Sequence, residues 1–95
     1  MPRYISLIRH TEKGAHAIKQ STGRAHAFDK AAAKSGVKIE GQYWTLGQYD
    51  GVLILSAERE EQALHCLALL ASAGFVRTET LPAFNDQEFD AITGS

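Results

Sequence analysis

Val37-Lys38-Ile39-Glu40-Gly41-Gln42-Tyr43-Trp44-Thr45-Leu46-Gly47-Gln48-Tyr49-Asp50-Gly51-Val52-Leu53-Ile54-Leu55 is the stretch from which the fold of this chain is read. Val37, Ile39, Gly41 and Tyr43 alternate with Lys38, Glu40 and Gln42, the period of a strand with two unlike faces. Gly51 to Leu55 is an apolar run of strand length, and only Thr45–Asp50 separates it from the first. Two strands so close in sequence pair as an antiparallel hairpin, with Gly47 free to take positive φ in the connection.

Outward from the hairpin the same logic places the other elements. Tyr4–Ile8, β-branched and aromatic, reads as the first strand. Thr11 is a suitable N-cap for a helical segment that runs to Ser35 and closes at Gly36. Ala15, Ile18, Ala25, Phe28 and Ala32 line one side of that segment. The pattern stutters at Ser21-Thr22-Gly23-Arg24, so a break is expected there, with Ser21 or Thr22 restarting the helix. After the hairpin, Ser56 is placed to cap a second helix whose first turns carry Glu58, Glu60 and Glu61. Its apolar face is Ala63, Leu64, Leu67, Leu70 and Ala71, and Gly74 stops it. Phe75–Leu81 is the last strand, ended by Pro82, and the tail at 85–95 adds a short helical turn with Phe84 and Phe89 able to pack back.

The resulting order, β-α-β-β-α-β, is that of a ferredoxin-like α+β sandwich, four antiparallel strands carrying two helices on one face. The 95 residues make a single domain, 1–95. Two helices cover only one face, yet the third strand is apolar on both, with Val52 and Ile54 opposed to Leu53 and Leu55. The first strand has Ile5 and Leu7 opposed to Tyr4 and Ile8, and the uncovered apolar face is expected to be carried by Tyr4 and Ile8. Strands apolar on both faces are normally buried on both, and a bare apolar face is unusual in a soluble monomer. A homodimer through the open sheet face is therefore expected, because a two-fold contact is self-complementary.

Composition narrows the function classes. A net charge of −1 lacks the basic surface that nucleic-acid binding draws on, and the sheet centre is aliphatic where an RNA-binding sheet carries aromatic platforms. Cys66 is the one cysteine, so no intrachain disulfide forms and a reducing cytoplasm is the expected location. The N-terminal apolar run is too short for a signal peptide, and no stretch approaches a membrane span. No two of His10, His16, His26 and His65 stand three or four residues apart, so no metal is expected. No phosphate-binding glycine loop, nucleophile elbow or CxxC pair is present, and no cofactor is expected.

At Gly41-Gln42-Tyr43-Trp44-Thr45-Leu46-Gly47-Gln48-Tyr49-Asp50 the chain resembles the GYD-domain family, named for a Gly-Tyr-Asp motif. The likeness extends to Val76-Arg77-Thr78-Glu79-Thr80-Leu81-Pro82-Ala83-Phe84 and to the first strand followed by Thr11-Glu12-Lys13-Gly14. Gln48 stands where the family has the motif glycine. The resemblance implies a ferredoxin-like subunit of the dimeric α/β-barrel kind. It implies no particular activity, since a fold does not fix function.

The residues with chemistry to offer are Arg9, His10, Tyr43, Trp44, Tyr49, Asp50, Arg77 and Glu79. The hairpin brings Tyr43, Trp44, Tyr49 and Asp50 to one end of the sheet, where aromatic walls with a few polar groups suit a small-ligand pocket. The same residues also serve as core and interface, and Asp50 as a bonder of turn amides. Arg77 and Glu79 share a strand face, as an ion pair or as a clamp for a carboxylate. Cys66 and His65 diverge around their helix, so Cys66 reads as a small buried hydrophobe and not as half of a dyad. The expected function is a dimeric module binding a small organic ligand or a protein partner. The rival is a cofactor-independent enzyme of oxygenase, isomerase or decarboxylase type with His10 or Asp50 as base. A structural role, with dimers assembling into larger rings, is a third.

Overall fold

A computed structural model of the chain describes residues 1–94. Its strands are β1 (Arg3–His10), β2 (Val37–Trp44), β3 (Gly51–Ala57) and β4 (Val76–Ala83). Its helices are α1 (Glu12–His16), α2 (Ser21–Lys34), α3 (Glu60–Ser72) and α4 (Asp86–Thr93), with a 3₁₀ turn at Ile18–Gln20. The strands form one four-stranded sheet in the order β2-β3-β1-β4, each antiparallel to its neighbour. This is the expected ferredoxin-like α+β fold. No helix among the described residues is long and apolar enough to cross a membrane.

The covered face takes alternate residues of the central strands. Tyr4, Ser6 and Ile8 of β1 stand opposite Leu55, Leu53 and Gly51 of β3. Val37 of β2 and Ala32, Ala63, Cys66 and Leu67 of the helices complete the core. Leu53 and Leu55 are 1% and 0% exposed. Each such leucine contributes about 1.5–3 kcal/mol through burial. The burial also pushes the Cys66 thiol up from its usual range. Tyr4 is raised too, by its burial first and then by the nearby carboxylates of Glu60 and Glu61.

Pairing geometry corrects several expectations. Tyr4 and Ile8 face the helices, so the uncovered face is carried instead by Ile5 and Leu7 of β1 with Val52 and Ile54 of β3. In β2 a bulge between Ile39 and Gly41 breaks the alternation. One extra residue there reverses the parity, so Val37 and Ile39 point toward the helices while Gly41 and Tyr43 lie on the open side. Ser56 is not a helix cap, because β3 pairs on through Ser56 with Arg3 and Lys38. Arg59 is the N-cap of α3.

The helices depart in smaller ways. Thr11 caps α1 as expected, its hydroxyl oxygen accepting from the Gly14 amide at 3.1 Å. The break falls at Ala17–Gln20, just before Ser21 restarts the helix. Leu64 lies on the outer side of α3, 69% exposed, and Cys66 takes its place in the buried face. Pro82 does not end β4; it stands opposite Tyr4 on an edge strand, where a missing N–H costs no ladder bond. The tail does form a helix, capped by Asn85 in a reciprocal box with Glu88. Phe84 and Phe89 do not pack back, being 60% and 59% exposed. The helix is held instead through Arg3, whose guanidinium meets Glu88 at 3.1 Å.

Candidate functional site

Both long helices pack chiefly on strands and only sparsely on each other. Beside Phe28 the inner side of α2 carries small residues, Ala25 and Ala31 among them, which leave space beneath the helix. A cavity of about 390 Å³ consequently opens between the helices and the sheet, at the hairpin end. Its walls are mostly apolar, including Ile8, Phe28, Leu53, Leu70, Phe75 and Val76. The size lies within the ordinary range of small-molecule sites, roughly 300–1,000 Å³.

Four of the eight candidate residues line this cleft: His10, Tyr43, Trp44 and Asp50. Asp50 acts as a fastener. Its carboxylate oxygen accepts the His10 main-chain N–H at 2.7 Å and stands 3.7 Å from the His10 Nδ1. The Asp50 amide in turn donates to the Ile8 carbonyl at 2.7 Å, which ties the loop Thr45–Asp50 to β1 by two bonds. Across the loop, the Thr45 amide donates to the Asp50 carbonyl at 2.9 Å and the Thr45 hydroxyl to the Tyr49 carbonyl at 2.6 Å. Gly47 supplies the positive φ, +101°, with Gln48 beside it in the turn.

Trp44 points to the helix side and donates its indole N–H to the Ser21 hydroxyl oxygen at 2.9 Å. A second tie joins α2 to β2, the Gln42 amide donating to Asp29 at 2.8 Å. These bonds hold α2 over the sheet at its first residue and past its middle without filling the space beneath it.

The other four candidates lie on the open face, which Tyr43, paired with Val52, shares while also lining the cleft. The Arg9 guanidinium sits 4.8 Å from the centre of the Tyr49 ring, and the Tyr49 hydroxyl donates to Glu79 at 2.9 Å. Arg77 stands opposite Arg9 and donates to the carbonyls of Val76 and Ala71 at 3.1 and 3.4 Å. Arg77 and Glu79 therefore share a face but take different partners. Adjacent residues Tyr49 and Asp50 thus grip β1 from its two sides, and the constellation divides into a cleft group and a sheet-face group.

Sequence reasoning did not single out Ser21, Arg24, Phe28, Gln42 or Phe75, all of which line the cleft. Arg24 and Phe75 are distant in sequence, yet the guanidinium lies 4.3 Å from the centre of that ring. The Lys13 ammonium lies 4.4 Å from the same centre. Only the stutter at Ser21–Arg24 marked this region in the sequence. His16 and His26 are exposed, and among the described residues no group of three His, Cys, Asp or Glu side chains is placed to hold a metal ion.

Comparison with known proteins extends these observations. The GYD domain family model matches residues 4–93. A protein of Thermus thermophilus named glutamine synthetase and cystathionine beta-lyase binding protein is 33% identical over 84 residues, covering 87% of this chain and 88% of the relative. The crystal structure of TTHA0845, also from Thermus thermophilus, superposes with a TM-score of 0.58 at 26% identity, covering 90% of this chain and 95% of the other.

Proposed function

The chain belongs to the GYD domain family, and on that premise we propose that it is a protein-binding module, working as a homodimer that docks on a larger enzyme. The observation that carries this reading is the uncovered sheet face. Ile5, Leu7, Val52 and Ile54 form its centre, and Leu81 and Tyr43, 44% and 62% exposed, extend it to the edge strands. Burying that row against a second copy removes from water a face too apolar for a monomer. Further apolar side chains stand outside it, Leu46 at the hairpin tip and Phe89 and Ile92 on α4, and these offer contact to a second protein. The name of the Thermus relative supports a protein partner and indicates glutamine synthetase and cystathionine β-lyase as the first to try.

Sedimentation tests the first half: a dimer is expected at micromolar concentration, and Ile54→Lys should shift it to a monomer near 10.4 kDa. A wild-type monomer would sink the homodimer. Surface plasmon resonance against the two purified enzymes tests the second half, and no binding to either would remove the support the relative lends. A second reading is favoured by the cleft, whose apolar walls and polar mouth suit a small organic ligand.

A further inference from the structure

The charge balance at the mouth of the cleft says what kind of ligand fits. Asp50 is the acid there, and its carboxylate is already engaged by the His10 amide and faces the His10 ring. Arg24 also lines the cleft but has no carboxylate partner among the described residues. It spends one bond on the Ala17 carbonyl, at 2.7 Å, of the five N–H donors a guanidinium carries. Lys13, over the same Phe75 ring, likewise bonds a main-chain carbonyl, that of Ala73, and no acid. Ser21 lies one turn before Arg24 on α2, and its oxygen accepts from Trp44, which leaves its own O–H to donate. The cleft therefore presents the Arg24 guanidinium and a hydroxyl donor above an apolar floor, with Lys13 just outside its lining.

We propose that the cleft binds an amphipathic carboxylic acid, its hydrocarbon body among Phe28, Leu53, Leu70 and Val76 and its carboxylate on Arg24 and the Ser21 hydroxyl. This rests on the reading of the cleft as a ligand site and adds the class of ligand. Guanidinium and carboxylate match in geometry as well as in charge, and the partly enclosed setting strengthens the pair over one in open water. A neutral molecule of the same shape fills the floor and leaves Arg24 without its counter-charge. Arg24 is thus the residue that selects acid over alcohol.

Isothermal titration with 2-naphthoate and with 2-naphthylmethanol separates the two levels of the claim. Wild-type protein should bind the acid at least about tenfold more tightly than the alcohol, a difference near 1.4 kcal/mol. Arg24→Gln should erase that preference while leaving the alcohol unchanged, and Ala25→Leu, which narrows the cleft, should weaken both. Equal affinities in the wild type, or a preference that survives Arg24→Gln, would overturn the carboxylate assignment alone. Binding of neither probe, or binding of both that Ala25→Leu leaves untouched, would overturn the cleft as a ligand site too. Circular dichroism of each variant checks that the fold is retained.

Discussion

The two faces of the sheet are made from interleaved residues of the same strands, and they invert the simple expectation of where apolar side chains go. On the covered side of the β1–β4 pair stand Ser6 and Thr80, their hydroxyls 2.9 Å apart, with Ser6 fully buried. On the uncovered side of the same pair stand Ile5, Leu7 and Leu81. A buried hydroxyl is tolerated because it has its partner, while a contiguous row of aliphatic side chains facing outward is unusual on a soluble monomer. The faces differ less in composition than in what lies over them. The covered face finds its partners within the chain, and the uncovered one is where the proposed homodimer would form.

Breaking the contrast most directly means truncating neighbours on opposite faces. Leu55→Ala should cost about 2–5 kcal/mol of unfolding free energy, as a cavity in a packed core does. Ile54→Ala, one residue away, should cost about 1 kcal/mol or less in the single chain, since it is only half-buried there. Urea denaturation of both, at matched low protein concentration, measures the gap, and equal losses would mean that the faces are equally packed.

Thr80→Val tests the polar seam within the covered face. It leaves the Ser6 hydroxyl buried without its partner and should cost about 1–3 kcal/mol in the same assay. The additional change Ser6→Ala should return part of that loss. Gly14→Ala probes how closely the helix layer meets the sheet, for an added Cβ would overlap the Phe75 carbonyl. An overpacking loss of about 1–3 kcal/mol is expected, with a lower Tm to match.

The smallest effect belongs to the periphery. The Asn85 main-chain N–H, and after it the Arg3 guanidinium, hold the Glu88 carboxyl below the usual range. A depressed carboxylate contributes stability that is present above its unfolded value, roughly 4.3, and is lost as pH falls through the folded one. Acid should therefore fray α4 before the core responds, seen as faster amide exchange at Phe89 while Leu55 stays protected. Simultaneous loss at both would show that α4 is coupled to the core.

Much of the architecture was legible because hydrophobic period and turn chemistry are local. The hairpin, the stop at Gly36, the cap at Thr11 and the order of elements along the chain all followed from short windows of residues. Ser56 has the side chain of a cap, but pairing with β1 and β2 carries β3 through it, and that pairing is not local. Leu64 misled because a helix of alternating Ala and Leu presents two plausible apolar stripes, and only the sheet beneath chooses between them. The site was half legible. Aromatic and acidic residues at the hairpin marked one wall of the cleft, but Arg24, Lys13 and Phe75 meet only when α1 and α2 close over the start of β4.

By itself the sequence determined that β1 and β3 have two apolar faces, that two helices are too few to cover both, and that the chain is a GYD domain of ferredoxin-like order. Tertiary structure alone decided which parity of residue faces inward, because alternation is symmetric until a helix packs on one side. It decided the parity of β2 by the bulge at Ile39–Gly41, where pairing to β3 absorbs one extra residue. It also decided that a cavity exists, since empty space between layers depends on how far apart two packed surfaces sit and on whether the side chains between them fill the gap, and no single segment contains that distance.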